Sequence, residues 1–313
     1  MKTINHSNQN SILKALAYYD VFNFPLNADE LFRYSDFTNK NDFTTALSQL
    51  VNEHIIFQMG AYYTLQPSEN IKLNRIAGDQ RAKEYTYQAY KKSKLIAKFP
   101  YVKSVLISGS LSKGTMGEDG DIDYFIVSKP NRLWIARTLL ILYKKVFLLN
   151  SRKYFCINYL VDENSLTIEQ QNRFTATELV TLIPMTNPAI YDEMIAKNGW
   201  IKSYYTSIIP KFLKPISVGR SGFQKLIEPI FDTKIGDILD DFFMKITLKR
   251  WVQKFGEMSP EDFKIALQTS KTVSKHHPSN FQKKVLAGFE ERMTVLTQKL
   301  AATQHISNLN EDQ

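Results

Sequence analysis

The 313-residue chain contains one cysteine, Cys156, so it can form no intramolecular disulfide. Cys156 stands inside the apolar run Tyr154-Phe155-Cys156-Ile157-Asn158-Tyr159-Leu160-Val161 and reads as a buried structural thiol, in keeping with a reducing compartment. A long unbroken apolar run is also missing. The greasiest stretch, residues 133–149, is interrupted by Arg137, Lys144 and Lys145, which excludes a membrane span and leaves a long helix laid against a sheet. The opening Met1-Lys2-Thr3-Ile4-Asn5-His6 lacks the apolar core of a signal peptide, so the cytoplasm is the expected location. There is no internal repeat and no low-complexity tract. Apolar residues are present in ordinary amount, 43%, enough for globular cores. The length exceeds a typical single domain, and two or three are expected.

Charge is unevenly spread. The whole chain is +9, yet residues 1–70 hold four basic against seven acidic residues, a net of −3. The positive charge lies in residues 72–98, with eight basic residues against Asp79 and Glu84, and in residues 129–153, with seven and no acid. Such a field attracts a triphosphate and an anionic acceptor such as RNA; a solvated helix face is the plainer reading of residues 72–98.

Residues 1–70 read as a separate module. Residues 12–19 form a first helix, ended by Pro25. Asn27 caps a second helix, and residues 42–51 form a third with apolar positions at 43, 46, 47, 50 and 51. Residues 55–58 and 61–65, joined at Met59-Gly60, make a hairpin. Three helices and a hairpin resemble a winged helix-turn-helix. DNA binding does not follow, because phosphate neutralisation needs basic side chains and the third helix carries Asp42 and Glu53 with no Lys or Arg. Packing within the protein or gripping a protein partner suits the module better.

The richest signal is Val105-Leu106-Ile107-Ser108-Gly109-Ser110, ten residues, then Asp121-Ile122-Asp123-Tyr124-Phe125-Ile126-Val127. Strand alternation puts Asp121 and Asp123 on one face. Two adjacent carboxylates repel each other unless a proton or cation intervenes. Their hard oxygens suit Mg²⁺ or Mn²⁺, which complete their shell with substrate phosphates. Gly109 lets the backbone approach a phosphate, and Ser110 offers a hydroxyl.

These residues resemble the DNA polymerase β-type nucleotidyltransferase superfamily in its minimal form: Gly-Ser, about ten residues, then Asp-x-Asp opening a strand. The resemblance covers roughly residues 95–162. It implies a mixed sheet with helices on one side and transfer of a nucleoside monophosphate from an NTP to an acceptor. It assigns catalysis and metal binding to Asp121 and Asp123, and nucleotide binding to Gly109 and Ser110. Lys113 is the matching phosphate-neutralising residue, and Arg137 a further candidate for a phosphate or structural contact. Arg132, five residues before Arg137, cannot share its helix face.

One departure matters. The superfamily usually has a third carboxylate on the next strand, where this chain has Asn158. An amide oxygen can ligate a metal but cannot take a proton. Asp162, four residues further on, lies about 13 Å away along a strand. Glu178 could return to the site, although a Glu in a first helical turn also serves the helix dipole. A one-metal enzyme, an enzyme with a relocated base and a protein that only binds nucleotide all remain open.

Beyond residue 164 the pattern is helical, over 175–183, 189–195 and 200–209, and then over 223–297 with a turn at 256–260 capped by Ser259. His276-His277-Pro278 reads as a solvated loop, since adjacent histidines lack metal-ligand spacing. With Phe155-Cys156-x-Asn158-Tyr159 and Phe174-Thr175-Ala176-x-Glu178-Leu179, the whole chain looks like bacterial winged-helix nucleotidyltransferase-like proteins.

The expected architecture is α+β. It comprises a winged-helix module at 1–70, a nucleotidyltransferase core with a mixed sheet and helices at 71–163, and a helical C-terminal region at 164–313. The leading expected function is Mg²⁺-dependent transfer of NMP from an NTP to the hydroxyl of an unidentified acceptor, whether RNA, protein or small molecule. The alternatives are a degenerate nucleotide-binding adaptor whose winged helix binds a partner, and a transcription regulator, which would need DNA affinity.

Overall fold

The computed structural model describes residues 6–206 and 213–311. The chain forms two compact units: Met1–Ala77 with Trp200–Ile209 and Gln282–Gln313, and Gly78–Gly199 with Pro210–Phe281.

In the first unit α1 (His6–Asp20) leads through β1 (Leu26–Asn27) to α2 (Ala28–Tyr34) and α3 (Lys40–Asn52), then to the hairpin β2 (Phe57–Met59) and β3 (Tyr62–Thr64). Asn27 and Glu30 form a reciprocal capping box, at 2.9 and 3.0 Å, that fixes the start of α2. Gly60 turns the hairpin at φ +66°, a value costly for other residues. β3 pairs antiparallel with both β2 and β1, so Leu26–Asn27 adds a strand that the sequence pattern does not announce. The third helix begins earlier than expected and includes Lys40, but the Lys40 ammonium is paired with Asp29 at 3.1 Å. The next helix, α4 (Glu69–Ile96), starts in this unit. Arg75 on it bonds both oxygens of Glu30 and the carbonyl of Pro25, and lies over the Phe24 ring. The C-terminal helix, Phe281–Glu311, buries Val285, Phe289 and Leu296, an apolar stripe along one face.

The second unit is built on a five-stranded mixed sheet. Its strands are β4 (Val102–Ser108), β5 (Asp123–Ser128), β6 (Cys156–Asp162), β7 (Ile183–Thr186) and β8 (Val273–Lys275), in the order β7-β4-β5-β6-β8. β5 and β6 are parallel and the other pairs antiparallel. Parallel neighbours need a crossover, supplied here by α6 (Leu133–Phe147), while the one-turn α5 (Gly109–Ser112) follows β4. Tyr124, Ile126, Val105 and Ile107 on the sheet, Trp134 and Leu140 on α6, and Tyr85 and Ala89 on α4 share one core. The remaining helices are α7 (Arg173–Thr181), α8 (Pro188–Lys197), α9 (Gly222–Phe231), α10 (Lys234–Phe255) and α11 (Pro260–Ala266). No described helix is long and apolar enough to cross a membrane.

Three expectations for the C-terminal part are corrected. The helix expected over 175–183 stops at Thr181, and Ile183–Thr186 is the edge strand β7. The stretch expected to be helical over 223–297 contains β8, which closes the opposite edge of the sheet. In place of a helix over 200–209 there is a 3-10 turn, Gly199–Ser203; residues 207–209 lie outside the described residues.

Candidate active site

β4 ends at Ser108, and the chain turns at Gly109 with φ +66°. The turn is close as well as left-handed: a Cβ on Gly109 would lie 2.5 Å from Asp123 Oδ2, so the glycine is what allows the carboxylate against the turn. Ser110 follows, exposed. Asp123 is the first residue of β5 and Asp121 lies two residues before it, outside the strand. The Asp-x-Asp segment is fastened to the next strand by backbone bonds, Ile122 N–H to the Lys153 carbonyl and Cys156 N–H to the Ile122 carbonyl, both 3.0 Å.

The parallel register sets Cys156 opposite Asp123. Ligand atoms of Asp121, Asp123 and Cys156 all lie within 4.8 Å of one another, a group that could hold a metal ion. The register of β6 slips at Asn158, so Ile157 faces Tyr124 while Tyr159 faces Phe125. This bulge brings the Asn158 side chain back to the site, where its Nδ2 donates to Asp123 Oδ1 at 2.5 Å and its Oδ1 accepts from the Cys156 thiol at 3.3 Å. In this arrangement Asn158 acts as a hydrogen-bonding support for Asp123.

Burial and then the neighbouring Asp121 charge raise the Asp123 carboxyl from 3.8 to about 7, with Glu178 adding to the effect. Burial and the two carboxylates push the Cys156 thiol up, so it stays protonated at neutral pH. The donor set therefore fits a hard divalent cation held by the two carboxylates, whose charge would relieve the repulsion that holds Asp123 up.

Lys113 caps α5 and donates to the Gly109 carbonyl at 3.1 Å and to Glu178 at 2.8 Å. The position expected to neutralise phosphate is thus tied to a carboxylate, and Glu178 on α7 does return to the site. Arg137 is placed differently: its guanidinium lies over the rings of Trp134 and Trp251. Arg132 is structural and pairs with Asp237 and Asp232. The two histidines are half-buried rather than solvated; burial lowers both to about 4, and His276 packs on Trp251 and Phe255. One participant, Cys156, escaped the sequence reading as a site residue. Cys156 was hidden because strand register is not written in one sequence, and Glu178 was legible only as a candidate.

A strand leading into a left-handed Gly-Ser turn, with paired acids opening the adjacent strand of a mixed sheet, is the arrangement that the resemblance to nucleotidyltransferases implies. Residues 91–215 match the family model of the nucleotidyltransferase domain, in agreement with the polymerase β-type superfamily. The matched stretch is two fifths of the chain, and over it the chain is similar to that family. No curated protein and no solved structure matches it.

Proposed function

We propose that the protein is a Mg²⁺-dependent nucleotidyltransferase that moves a nucleoside monophosphate from an NTP to an acceptor hydroxyl. The observation that carries this reading is the half-buried pair Asp121 and Asp123 beside the Gly109 turn. Burial, and then the adjacent Asp121 charge, hold Asp123 at about 7. Asp121 and Asp123 would hold Mg²⁺ or Mn²⁺, which when bound neutralises their charge and that of the donor phosphates. Asn158 fixes the Asp123 carboxylate by its 2.5 Å bond. Gly109 and Ser110 receive the β- and γ-phosphates, and Lys113 turns from Glu178 toward them. The acceptor hydroxyl releases its proton to solvent and its oxygen bonds to the α-phosphorus as the bond to the β-phosphate oxygen breaks and pyrophosphate leaves.

A second reading has its own support. Asn158 stands where the superfamily usually places a carboxylate, which suits a protein that binds nucleotide without turnover. In both readings residues 6–64 act as a winged-helix module that grips a protein partner, because the third helix offers no unpaired cation at its start. The deciding experiment offers the four labelled NTPs, Mg²⁺ and a cell extract, and follows pyrophosphate release. Release that disappears in Asp121→Asn with Asp123→Asn supports the transferase. Release unchanged in that double variant rules the mechanism out, and nucleotide binding without release favours the adaptor.

A further inference from the structure

Arg137 has surroundings that donor binding leaves unexplained. Its guanidinium lies 5.5 Å from the Trp134 centroid and 5.1 Å from that of Trp251. Burial pulls its pKa down to about 10, with no charged group among the causes. Trp251 stacks in turn on His276 at 5.0 Å. Lys144 extends from α6 two turns further on, Arg152 from the loop before β6, and Lys254 from the end of α10. Burial, and after it the charges of Arg152 and Arg137, depress Lys144; burial, and after it the charges of Arg137, His277, Arg152 and Lys254, depress His276. Among the described residues no carboxylate pairs with Arg137, Lys144, Arg152 or Lys254. Gathering unpaired cations around a half-buried guanidinium is costly in self-repulsion and desolvation. An anion removes that cost.

The cluster adjoins the reacting centre. The His276 N–H donates to the Asn158 carbonyl at 2.8 Å, while the Asn158 side chain holds Asp123. Gly109 and Ser110 follow β4, the neighbour of β5 on one side, whereas Arg152 and His276 adjoin β6 and β8 on the other. The Gly-Ser turn and the cationic cluster thus lie on opposite sides of Asp123 in the sheet order.

We propose that Arg137, Lys144, Arg152, Lys254 and His276 bind a phosphate group carried by the acceptor, so that the acceptor is a phosphorylated molecule. This rests on the transfer reading of Asp121 and Asp123. A guanidinium offers a planar fork of N–H donors that matches phosphate oxygens, and the packing of Arg137 against Trp134 and Trp251 restricts its rotamers. The same chemistry fits the terminal phosphate of a polynucleotide or that of a small sugar phosphate.

The test uses the full chain with Mg²⁺ and a non-hydrolysable ATP analogue. Calorimetry compares a 5′-phosphorylated tetranucleotide, glucose 6-phosphate and the unphosphorylated form of each. The expected result is binding of at least one phosphorylated probe about ten-fold tighter than its unphosphorylated counterpart, and the preferred probe identifies the source. Lys144→Gln with Lys254→Gln, at a half-buried and an exposed position, erases that preference while the ATP analogue still binds; Arg137→Gln does the same wherever its circular dichroism shows a native fold. Equal affinity for phosphorylated and unphosphorylated probes overturns the proposal. So does a double variant that keeps the preference, or one that loses the ATP analogue together with it. Failure of the wild-type chain to bind the ATP analogue counts instead against the transferase reading.

Discussion

At the scale of single residues, Asp123 carries the electrostatic load of the site. Its carboxyl moves from 3.8 to about 7 on folding. Between those values the folded chain keeps a proton that the unfolded chain has lost, so its contribution to stability declines as pH rises through this window and levels off above it. At about 1.4 kcal/mol per pH unit the full shift corresponds to somewhat more than 4 kcal/mol, and solvent screening of this half-buried carboxyl brings the expected effect to roughly 2 kcal/mol. Asp123→Asn should therefore match the wild type in urea denaturation near pH 4 and exceed it by roughly 2 kcal/mol at pH 8 without metal. Added Mg²⁺ should narrow the gap by stabilising only the wild type. A gap independent of pH would show that Asp123 is not the strained group. Asp121, Asp123, Gly109 and Ser110 were legible because a glycine turn and an alternate-acid strand leave a local trace. Cys156 left none: its place opposite Asp123 depends on the register of β6 and on a bulge at Asn158, which only strand pairing fixes.

At the scale of elements, α6 shows how a helix readable from its apolar pattern can depend on a distant residue. Its N-cap position is Arg132, which supplies no side-chain cap. The first-turn amides of Trp134 and Ile135 donate instead to Oδ1 of the fully buried Asp240 on α10, at 2.8 and 2.9 Å. Two orphan donors are satisfied by one carboxylate more than one hundred residues away in sequence. Asp240→Ala leaves both amides buried without an acceptor and should cost about 3 kcal/mol, whereas Asp240→Asn, which keeps an oxygen there, should cost about half. Thermal unfolding of the two variants checks the order; equal losses would mean that the carboxylate serves charge rather than capping. The edge strands were harder to read for a related reason. Ile183-Pro184-Met185-Thr186 contains a proline that suggests a helix end, yet a residue without an N–H is tolerated on an edge strand, and β7 pairs only with β4. β8 is three residues long, too short to show a period of two inside a helical stretch.

At the scale of the whole molecule, the first unit is assembled from segments far apart in the chain. The sequence pattern placed a boundary near residue 70 because composition changes there. Nothing in a polar-rich C-terminal helix announces that it belongs with the beginning. The contacts do: Arg292 Nε donates to Asp20 at 2.5 Å, Lys299 donates to the His54 carbonyl at 2.6 Å, and the Phe289 ring lies 6.4 Å from Tyr18. Val285, Phe289 and Leu296 are at most 7% exposed, so removing the helix uncovers the apolar surface that they close. Losing three buried apolar side chains and a partly buried ion pair should cost about 5 kcal/mol or more, comparable to the total stability of a small domain. A chain ending at residue 281 should therefore lose amide protection across α1, α2 and α3 in hydrogen exchange, while β4, β5 and β6 keep theirs and the chain still binds the ATP analogue with Mg²⁺. Unchanged protection in α1 would show that residues 1–77 form a self-sufficient module. Loss of protection in β5 would show that the catalytic sheet depends on the C-terminal helix, contrary to the division of the fold into two units.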